Sequence, residues 1–196
     1  NAAANGDTIL VAAGTYDEDL NINKAVIIRG AHAGEAGSAM SRDASAGMGE
    51  TTIIGESSIT SPGGVTIDGV RFLNDSSTSG GGAASPTLRV AGAASGGNHV
   101  ITNNVFWSTV IGGANGVDDR AISLDSNGGG SITVSNNLIS GTSTATFTSS
   151  AWGRGIWSDG GGVNLVATDN VLQSTRTGMN LDVGGSSDIS VVGNSF

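Results

Sequence analysis

Three aspartates recur at matching places in a repeated phrase, and they are the residues of this chain best suited to acid–base chemistry. They are Asp125, Asp159 and Asp182. Two carboxylates held roughly 5 to 10 Å apart can hydrolyse a glycosidic bond, and carboxylates also bind Ca²⁺ or sugar hydroxyls. If the chain is an enzyme, these three are its catalytic candidates. The structural alternative is that they are exposed turn residues that cap backbone amides.

Tryptophan and arginine side chains accompany these aspartates in a chain that is only 4% aromatic. Arg120 and Arg154 each precede a repeated aspartate by five residues, which offers that carboxylate an ion pair. Trp157 takes a slot that is polar in the other copies of the phrase, so we expect it to point outward. It could stack on a sugar ring, as could the loop residues Trp107 and Trp152, or all three could pack beneath loops. These five residues form the predicted ligand-binding set.

A possible metal site lies in the loop that precedes the first repeated aspartate. The segment 112–119 resembles one copy of a calcium-binding nonapeptide, with one extra residue. Asn115, Asp118 and Asp119 would supply the oxygen ligands that Ca²⁺ requires. That motif works by stacking repeats and occurs once here, so the sequence gives the site little support.

The same half of the chain contains one phrase four times, each copy with an asparagine between apolar residues. Internal repeats indicate a solenoid, and short β-branched segments bounded by Gly, Ser and Asn indicate strands. Equivalent asparagines in stacked parallel strands lie about 4.8 Å apart and can form a hydrogen-bonded structural ladder. The ladder residues are Asn104, Asn137, Asn170 and Asn194, in steps of 33, 33 and 24 residues. The bulky residues two places later are expected in the core: Phe106, Ile139, Leu172 and Phe196.

We therefore predict an all-β fold, a right-handed single-stranded parallel β-helix (solenoid) with an N-terminal cap region. Residues 1–64 form the cap and first coils, and residues 65–196 form regular rungs with inserted loops, all within a single domain. Two successive rungs carry insertions on the same side. Such insertions gather on one face of a solenoid, often the binding face.

Composition excludes several classes of function. The formal charge of −9 disfavours nucleic acid and anionic membranes, which need Lys/Arg patches. The absence of cysteine excludes disulfides and thiolate metal sites. No apolar run reaches the length of about 18 residues that membrane insertion requires.

A family resemblance begins in the first 30 residues and continues through Ile53-Ile-Gly55 to the segment Gly64–Phe72. Gly6-Asp-Thr-Ile-x-Val11 leads into Gly14-Thr-Tyr-x-Glu18, and then come Ile22-Asn-Lys24 and Ile28-Arg-Gly30. This pattern resembles the opening of right-handed parallel β-helix proteins of the pectin-lyase-like superfamily. It is most similar to β-helix segments of large bacterial surface and secreted proteins. The resemblance implies the fold and an extracellular or cell-surface location, whereas fold alone does not fix activity.

The enzymes of that superfamily need groups that are sparse here. Gly14, Tyr16 and Glu18 match the opening of pectin methylesterases, but their later motifs need several glutamines and the only one is Gln173. Polygalacturonases are matched only at Asp118-Asp119. Lyases use Lys or Arg beside Ca²⁺, and the sole lysine lies in the first coil. The resemblance thus implies no specific catalytic centre.

The leading hypothesis is a non-catalytic structural or adhesive module of a bacterial extracellular protein, binding glycan or Ca²⁺ on its inserted-loop face. One alternative is a polysaccharide-active hydrolase or lyase that uses the stacked aspartates. Another is a self-assembling filament or sheath subunit, because we expect more β-helix chain or another subunit at the C-terminal end. A flat face of aligned Asn, Ser and Thr would favour the module. A cleft that holds two of the carboxylates and an Arg would favour the enzyme.

Overall fold

The chain forms an all-parallel solenoid of three sheets. The computed structural model describes residues 3–75, 86–91, 96–110, 119–125, 130–142, 151–159, 162–182 and 187–196. This part contains strands and turns and no helix, and every strand pairing is parallel. The chain visits sheets A, B and C in strict rotation, so each coil adds one strand to each sheet. This is the architecture of a parallel β-helix, as the repeated phrases predict.

Nineteen strands of the described residues make up the three sheets, and each sheet runs the length of the stack. Sheet A contains β1 (Thr8–Leu10), β4 (Ile27–Arg29), β7 (Thr66–Asp68), β10 (His99–Thr102), β13 (Ser131–Ser135), β16 (Asn164–Thr168) and β19 (Ile189–Val192). Sheet B contains β2 (Gly14–Asp17), β5 (Thr51–Ile54), β8 (Arg71–Asn74), β11 (Val105–Ser108), β14 (Leu138–Gly141) and β17 (Val171–Leu172). Sheet C contains β3 (Asn21–Ile22), β6 (Ser57–Ile59), β9 (Pro86–Val90), β12 (Arg120–Asp125), β15 (Trp152–Asp159) and β18 (Thr175–Leu181).

The core is built from columns of side chains that point inward at the same register in successive coils. Alternate residues of a strand face opposite sides of the sheet, so equivalent inward residues stack on one another. In sheet B the stacked rings of Phe72 and Phe106 lie with centroids 5.0 Å apart and planes inclined by 11°. Sheet B's inward column reads Tyr16, Ile53, Phe72, Phe106, Ile139 and Leu172.

Phe196 departs from its predicted place in this core. Ser195 bridges to Val171, so Phe196 continues the sheet B column above Leu172. Its side chain is nevertheless 73% exposed, because no further coil lies above it in the structure. The prediction of a buried residue is wrong for this one member of the set, while Phe106, Ile139 and Leu172 are buried.

At the other end of the stack, the first coil leaves an apolar cavity of about 350 Å³. Residues 3–64 supply the first six strands, and the inward side chains of β1 and β2 line this cavity with residues of the coils above. The lining includes Ile9, Val11, Tyr16, Leu20 and Ile28. The core therefore reaches the surface at the first coil.

A long turn-rich segment, residues 31–50, leaves the solenoid between β4 and β5. We call it the corner strap, because it lies along the corner between sheets A and B over several coils. Gly37 donates its backbone N–H to the Asn136 carbonyl at 2.8 Å. A Cβ on Gly37 would lie 2.2 Å from the Asn104 carbonyl oxygen, so only glycine permits this approach. The strap contacts the solenoid at Asp68, Asn103 and Asn136, so it joins successive coils.

Candidate functional site

The asparagine column lies at the A–B corner, where each coil makes a tight turn. The residue before each ladder asparagine has a left-handed backbone: φ is 57° at Asn103, 55° at Asn136 and 55° at Asp169. Asn and Asp tolerate this conformation better than other side chains because they can hydrogen-bond locally. Glycine takes the position at Gly69 and Gly193. The local sequence thus sets the turn that directs the next asparagine inward.

The ladder asparagines hydrogen-bond from coil to coil. The Asn137 Oδ1 accepts from the Asn104 backbone N–H at 2.9 Å, and the Asn170 Oδ1 accepts from Asn137 N–H at 3.1 Å. The Asn137 Nδ2 donates to the Ile101 carbonyl at 2.9 Å. Asn104 extends the pattern down to Val70 N–H, and Asn194 extends it up to Asn170 N–H. Asn104, Asn137 and Asn170 have no exposed surface, so this column binds the fold together and offers nothing to a ligand.

Arg120, Arg154 and Trp157 meet on the outward side of sheet C, and we call them the Arg–Trp cluster. Arg120 and Arg154 are register partners in β12 and β15. The Arg120 guanidinium carbon lies 3.1 Å from the centroid of the Trp157 ring, and that of Arg154 lies 5.2 Å away. All three side chains are partly exposed. A guanidinium over an indole face is a cation–π contact, which holds both planar groups in fixed orientations.

Sheet C concentrates positive charge in an acidic chain. Four of the eight Lys and Arg residues lie in its strands: Arg89, Arg120, Arg154 and Arg176. Arg89 and Trp157 occupy the same outward column, with Ser123 between them. Guanidinium groups bind carboxylates through paired hydrogen bonds. The sheet therefore presents a local arrangement suited to a planar anion, despite the net charge of −9.

The repeated aspartates stack at the opposite end of the same strands. Asp125 and Asp159 are register partners, and Asp182 follows the end of the next strand. Asp125 accepts two hydrogen bonds from Arg89, at 2.6 and 3.0 Å to one carboxylate oxygen. Asp182 is exposed, and its backbone N–H donates to the Ser158 hydroxyl at 2.7 Å. The partner of Asp125 thus comes from the coil below, and sequence spacing alone had suggested Arg120.

The three tryptophans occupy different environments. Trp152 is fully buried at the corner between sheets B and C, where its Nε1 donates to the Ser140 carbonyl at 2.8 Å. Its predicted role as a ligand-stacking residue is wrong, because no face of its ring reaches solvent. Trp107 lies on sheet B in register with Leu73 and Ser140, away from the Arg–Trp cluster. Its Nε1 is buried and has no hydrogen-bond partner among the described residues.

Of the predicted metal ligands, only Asp119 belongs to the described part of the chain; Asn115 and Asp118 lie outside it. Asp119 is 2% exposed. The Asn74 Nδ2 donates to its carboxylate at 3.4 Å, and its backbone carbonyl accepts from Arg154 N–H at 3.0 Å. The described residues contain no group of three or more acidic or histidine side chains that could hold a metal ion. The calcium site stays a prediction.

A second charged cluster holds the corner strap in place. Arg42 and Glu50 form a fully buried ion pair, with hydrogen bonds of 2.9 and 2.6 Å. Arg42 also donates to the Asn103 carbonyl at the ladder corner. At the strap's exposed edge, hydrogen bonds from Ser41 and then His32 hold the pKa of Glu35 below its ordinary value.

Arg71 fastens the same strap from sheet B. It donates to the carbonyls of Ala44 and Ser45 at 2.8 and 3.0 Å. Burial lowers the pKa of this guanidinium, while the charges of Glu50 and Asp43 oppose that change. The arginines of the strap region, Arg42 and Arg71, therefore hold the strap to the solenoid.

Sequence reasoning does not predict the positions of two polar residues, the buried His99 and the exposed Arg89. His99 has the character of a surface residue by its Gly- and Asn-rich setting, but it is 1% exposed and its Nδ1 accepts from Val65 N–H at 3.3 Å. Arg89 carried no repeat signal, yet it pairs with Asp125. Both follow from register across coils, which local sequence does not display.

Comparison with known proteins identifies no relative. No family model matches the chain, and neither a curated protein nor a solved structure is significantly similar to it. No helix in the described part of the chain is long and apolar enough to cross a membrane.

Proposed function

We propose that this protein is a non-catalytic structural and adhesive module of a bacterial extracellular or cell-surface protein. In this proposal the Arg–Trp cluster binds an acidic polysaccharide. The three-sheet solenoid serves as a stiff support, because each coil is hydrogen-bonded to its neighbours along all three sheets. The outward faces of such a support are free to carry binding groups in register.

The contact of Arg120 and Arg154 with the Trp157 ring carries this proposal. An indole presents a rigid apolar face on which the C–H side of a sugar ring can lie. The guanidinium groups of Arg120 and Arg154 lie 3.1 and 5.2 Å from the ring centroid, and such groups can pair bidentately with a sugar carboxylate. Fixing the donors before binding lowers the entropy cost of association. An acidic sugar thus matches both halves of the cluster, whereas a neutral sugar uses only the indole.

Co-sedimentation with polysaccharides tests the proposal. We expect binding to polyuronates and weaker binding to neutral glycans, with Trp157→Leu reducing polyuronate binding at least tenfold. Trp107→Leu is the matched control, since it removes an indole from another sheet and should leave binding unchanged. Equal binding by native protein and Trp157→Leu would refute a role for the cluster.

The stacked aspartates support a second candidate, a polysaccharide hydrolase or lyase. Asp125 and Asp159 lie in adjacent strands at the same register, so their Cα atoms are about 4.8 Å apart. This spacing is compatible with two cooperating carboxylates, although Arg89 already engages Asp125. Newly released chain ends that disappear in Asp125→Asn would establish the enzyme and overturn the non-catalytic proposal.

The ends of the solenoid support a further proposal about partners. We infer that another subunit stacks on the C-terminal end. Phe196 and Val192 are 73% and 62% exposed there, and β18 and β19 each end a sheet with one edge that pairs with no other strand of the described residues. Apolar surface and open strand edges together favour strand addition. Sedimentation velocity over a range of concentrations, with Phe196→Ser as the comparison, tests this inference.

A further inference from the structure

The outward face of sheet A carries a regular two-dimensional array of small polar and β-branched side chains. Within β10, β13 and β16, alternate residues are buried and the intervening ones are partly or fully exposed, whereas β19 has three exposed residues and none that is buried. The register is unbroken across these four strands. With the residues just before them, they place three columns of four outward side chains: Asn98, Ser131, Asn164 and Asp188; Val100, Thr133, Val166 and Ser190; Thr102, Ser135, Thr168 and Val192.

The central column alternates hydroxyl-bearing and aliphatic residues along the whole stack. Below Val100 it continues through β7, β4 and β1. The full column reads Thr8, Ile27, Thr66, Val100, Thr133, Val166 and Ser190. Six of these seven are β-branched, so each side chain is restricted about χ1 and the array is stiff. Neighbouring strands are about 4.8 Å apart and alternate residues about 6.6 Å apart, which sets the two repeats of the array.

The chemistry of this array excludes most partners. Eleven of its twelve side chains are uncharged and none is aromatic, in contrast to the Arg89 and Trp157 column on sheet C. Asp188 is therefore its one ion-pairing group, and it lacks the flat rings on which sugars stack. Its area, roughly 400 Å² from the two repeats, is about half of what each partner buries in a standard protein–protein interface.

A neutral partner with its own two-dimensional repeat fits these properties. Hydroxyl groups exchange hydrogen bonds with water, and water packs around a methyl group without bonding to it. When both recur at fixed intervals on a stiff surface, they hold water molecules at fixed intervals. Ice is the solid that presents such a lattice of water on a flat face. We propose that the outward face of sheet A is an ice-binding surface, separate from the Arg–Trp cluster.

Partition into a slowly growing ice hemisphere tests this inference. We expect the native protein to be enriched in the ice at least fivefold over a non-binding control protein, and to shape ice crystals. Thr133→Lys places a long charged side chain at the centre of the array and should abolish the enrichment. Thr15→Lys, the same change at an exposed site on sheet B, should leave the enrichment intact. Thr168→Lys repeats the test at a second array position if Thr133→Lys does not fold.

Three results would overturn the inference. The first is exclusion of the native protein from ice. The second is equal enrichment of native protein and folded Thr133→Lys or Thr168→Lys, with folding checked by circular dichroism. The third is binding to insoluble cellulose or chitin that the sheet A lysine variants abolish, which would make this face a site for neutral glycans. None of these measurements involves Trp157, so they stand or fall independently of the polyuronate site.

Discussion

At the scale of single residues, buried amides do more for this protein than its few charges. Each ladder asparagine satisfies one backbone N–H and one backbone carbonyl, both in the coil below it. Asn137, for example, serves Asn104 N–H and the Ile101 carbonyl and also donates to Asn170 Oδ1. A buried backbone group without a partner costs about 1–3 kcal/mol. The asparagine at this position is therefore difficult to replace.

Asn137→Ala should lower the free energy of unfolding by about 3–5 kcal/mol, because it leaves two or more buried backbone groups unpaired. Denaturant unfolding followed by circular dichroism measures this loss. Asn136→Gly is the control. Position 136 has a φ of 55° and needs only a residue that tolerates a left-handed backbone, which glycine does. A loss below 1 kcal/mol for Asn137→Ala would contradict the proposed energetic role of the ladder.

The ladder positions could be predicted from the sequence, because residue type and repeat position agree there. The burial of a side chain could not be predicted where it depends on the register between coils. The ladder positions are readable because every copy has Asn after a residue fit for a left-handed turn. Trp152 carries no such mark, since its burial depends on the corner between sheets B and C. The sequence also contains the hydroxyl-bearing and aliphatic residues that alternate along the sheet A column. It becomes visible only once Val100, Thr133 and Val166 are known to be neighbours.

At the scale of elements, the corner strap is the part of the fold that periodicity could not predict. Residues 31–50 contain no strand pattern, yet they contact the solenoid at Asp68, Asn103 and Asn136. The Arg42–Glu50 pair holds the strap at its base. Burying two charges costs free energy, and the pair is stable because each buried charge has its counter-charge.

Glu50→Gln should destabilise the protein by about 3–5 kcal/mol, because it leaves the Arg42 charge buried without its counter-charge. Glu35→Gln, a matched change at the exposed edge of the same strap, should destabilise the protein far less, because solvent screens an exposed carboxylate. Thermal unfolding of the two variants makes the comparison. Equal losses would mean that the buried pair does not anchor the strap.

The depressed pKa of Glu35 predicts a pH dependence of stability. A carboxyl whose folded pKa lies below its unfolded value of about 4.3 stabilises the folded state above that pH. That contribution is lost as the pH falls through the folded pKa. The melting temperatures of native protein and Glu35→Gln should therefore differ at pH 6 and converge towards pH 3. A difference that widens on acidification would contradict the direction of the shift.

At the scale of the whole molecule, stability is shared among coils that contact mainly their neighbours. In such a stack a coil can be removed if the register of the remainder is kept. The 33-residue step between Asn104 and Asn137 defines one complete coil. A deletion that keeps the three-sheet order and the ladder must therefore remove one whole coil.

Deleting residues 105–137 should give a shorter protein that keeps its β-sheet circular dichroism and melts cooperatively at a lower temperature. Deleting residues 105–120 removes β11 but leaves the sheet A strand of the same coil, so it should abolish the fold by interrupting the stack of sheet B. Collapse of both variants would show that the coils are not interchangeable units. The fold class itself was predictable from repeats, whereas the number of sheets emerged only with the pairing registers.

The central functional claim, recognition of an acidic glycan by the Arg–Trp cluster, is tested most directly by calorimetric titration with a uronic acid oligosaccharide at two salt concentrations. The account predicts saturable binding that weakens several-fold from 50 to 500 mM salt, because guanidinium–carboxylate pairs near a surface are screened. It also predicts that Arg154→Met and Trp157→Leu each weaken binding, while Trp107→Leu does not. Absence of binding at low salt, or binding that neither variant changes, would contradict it.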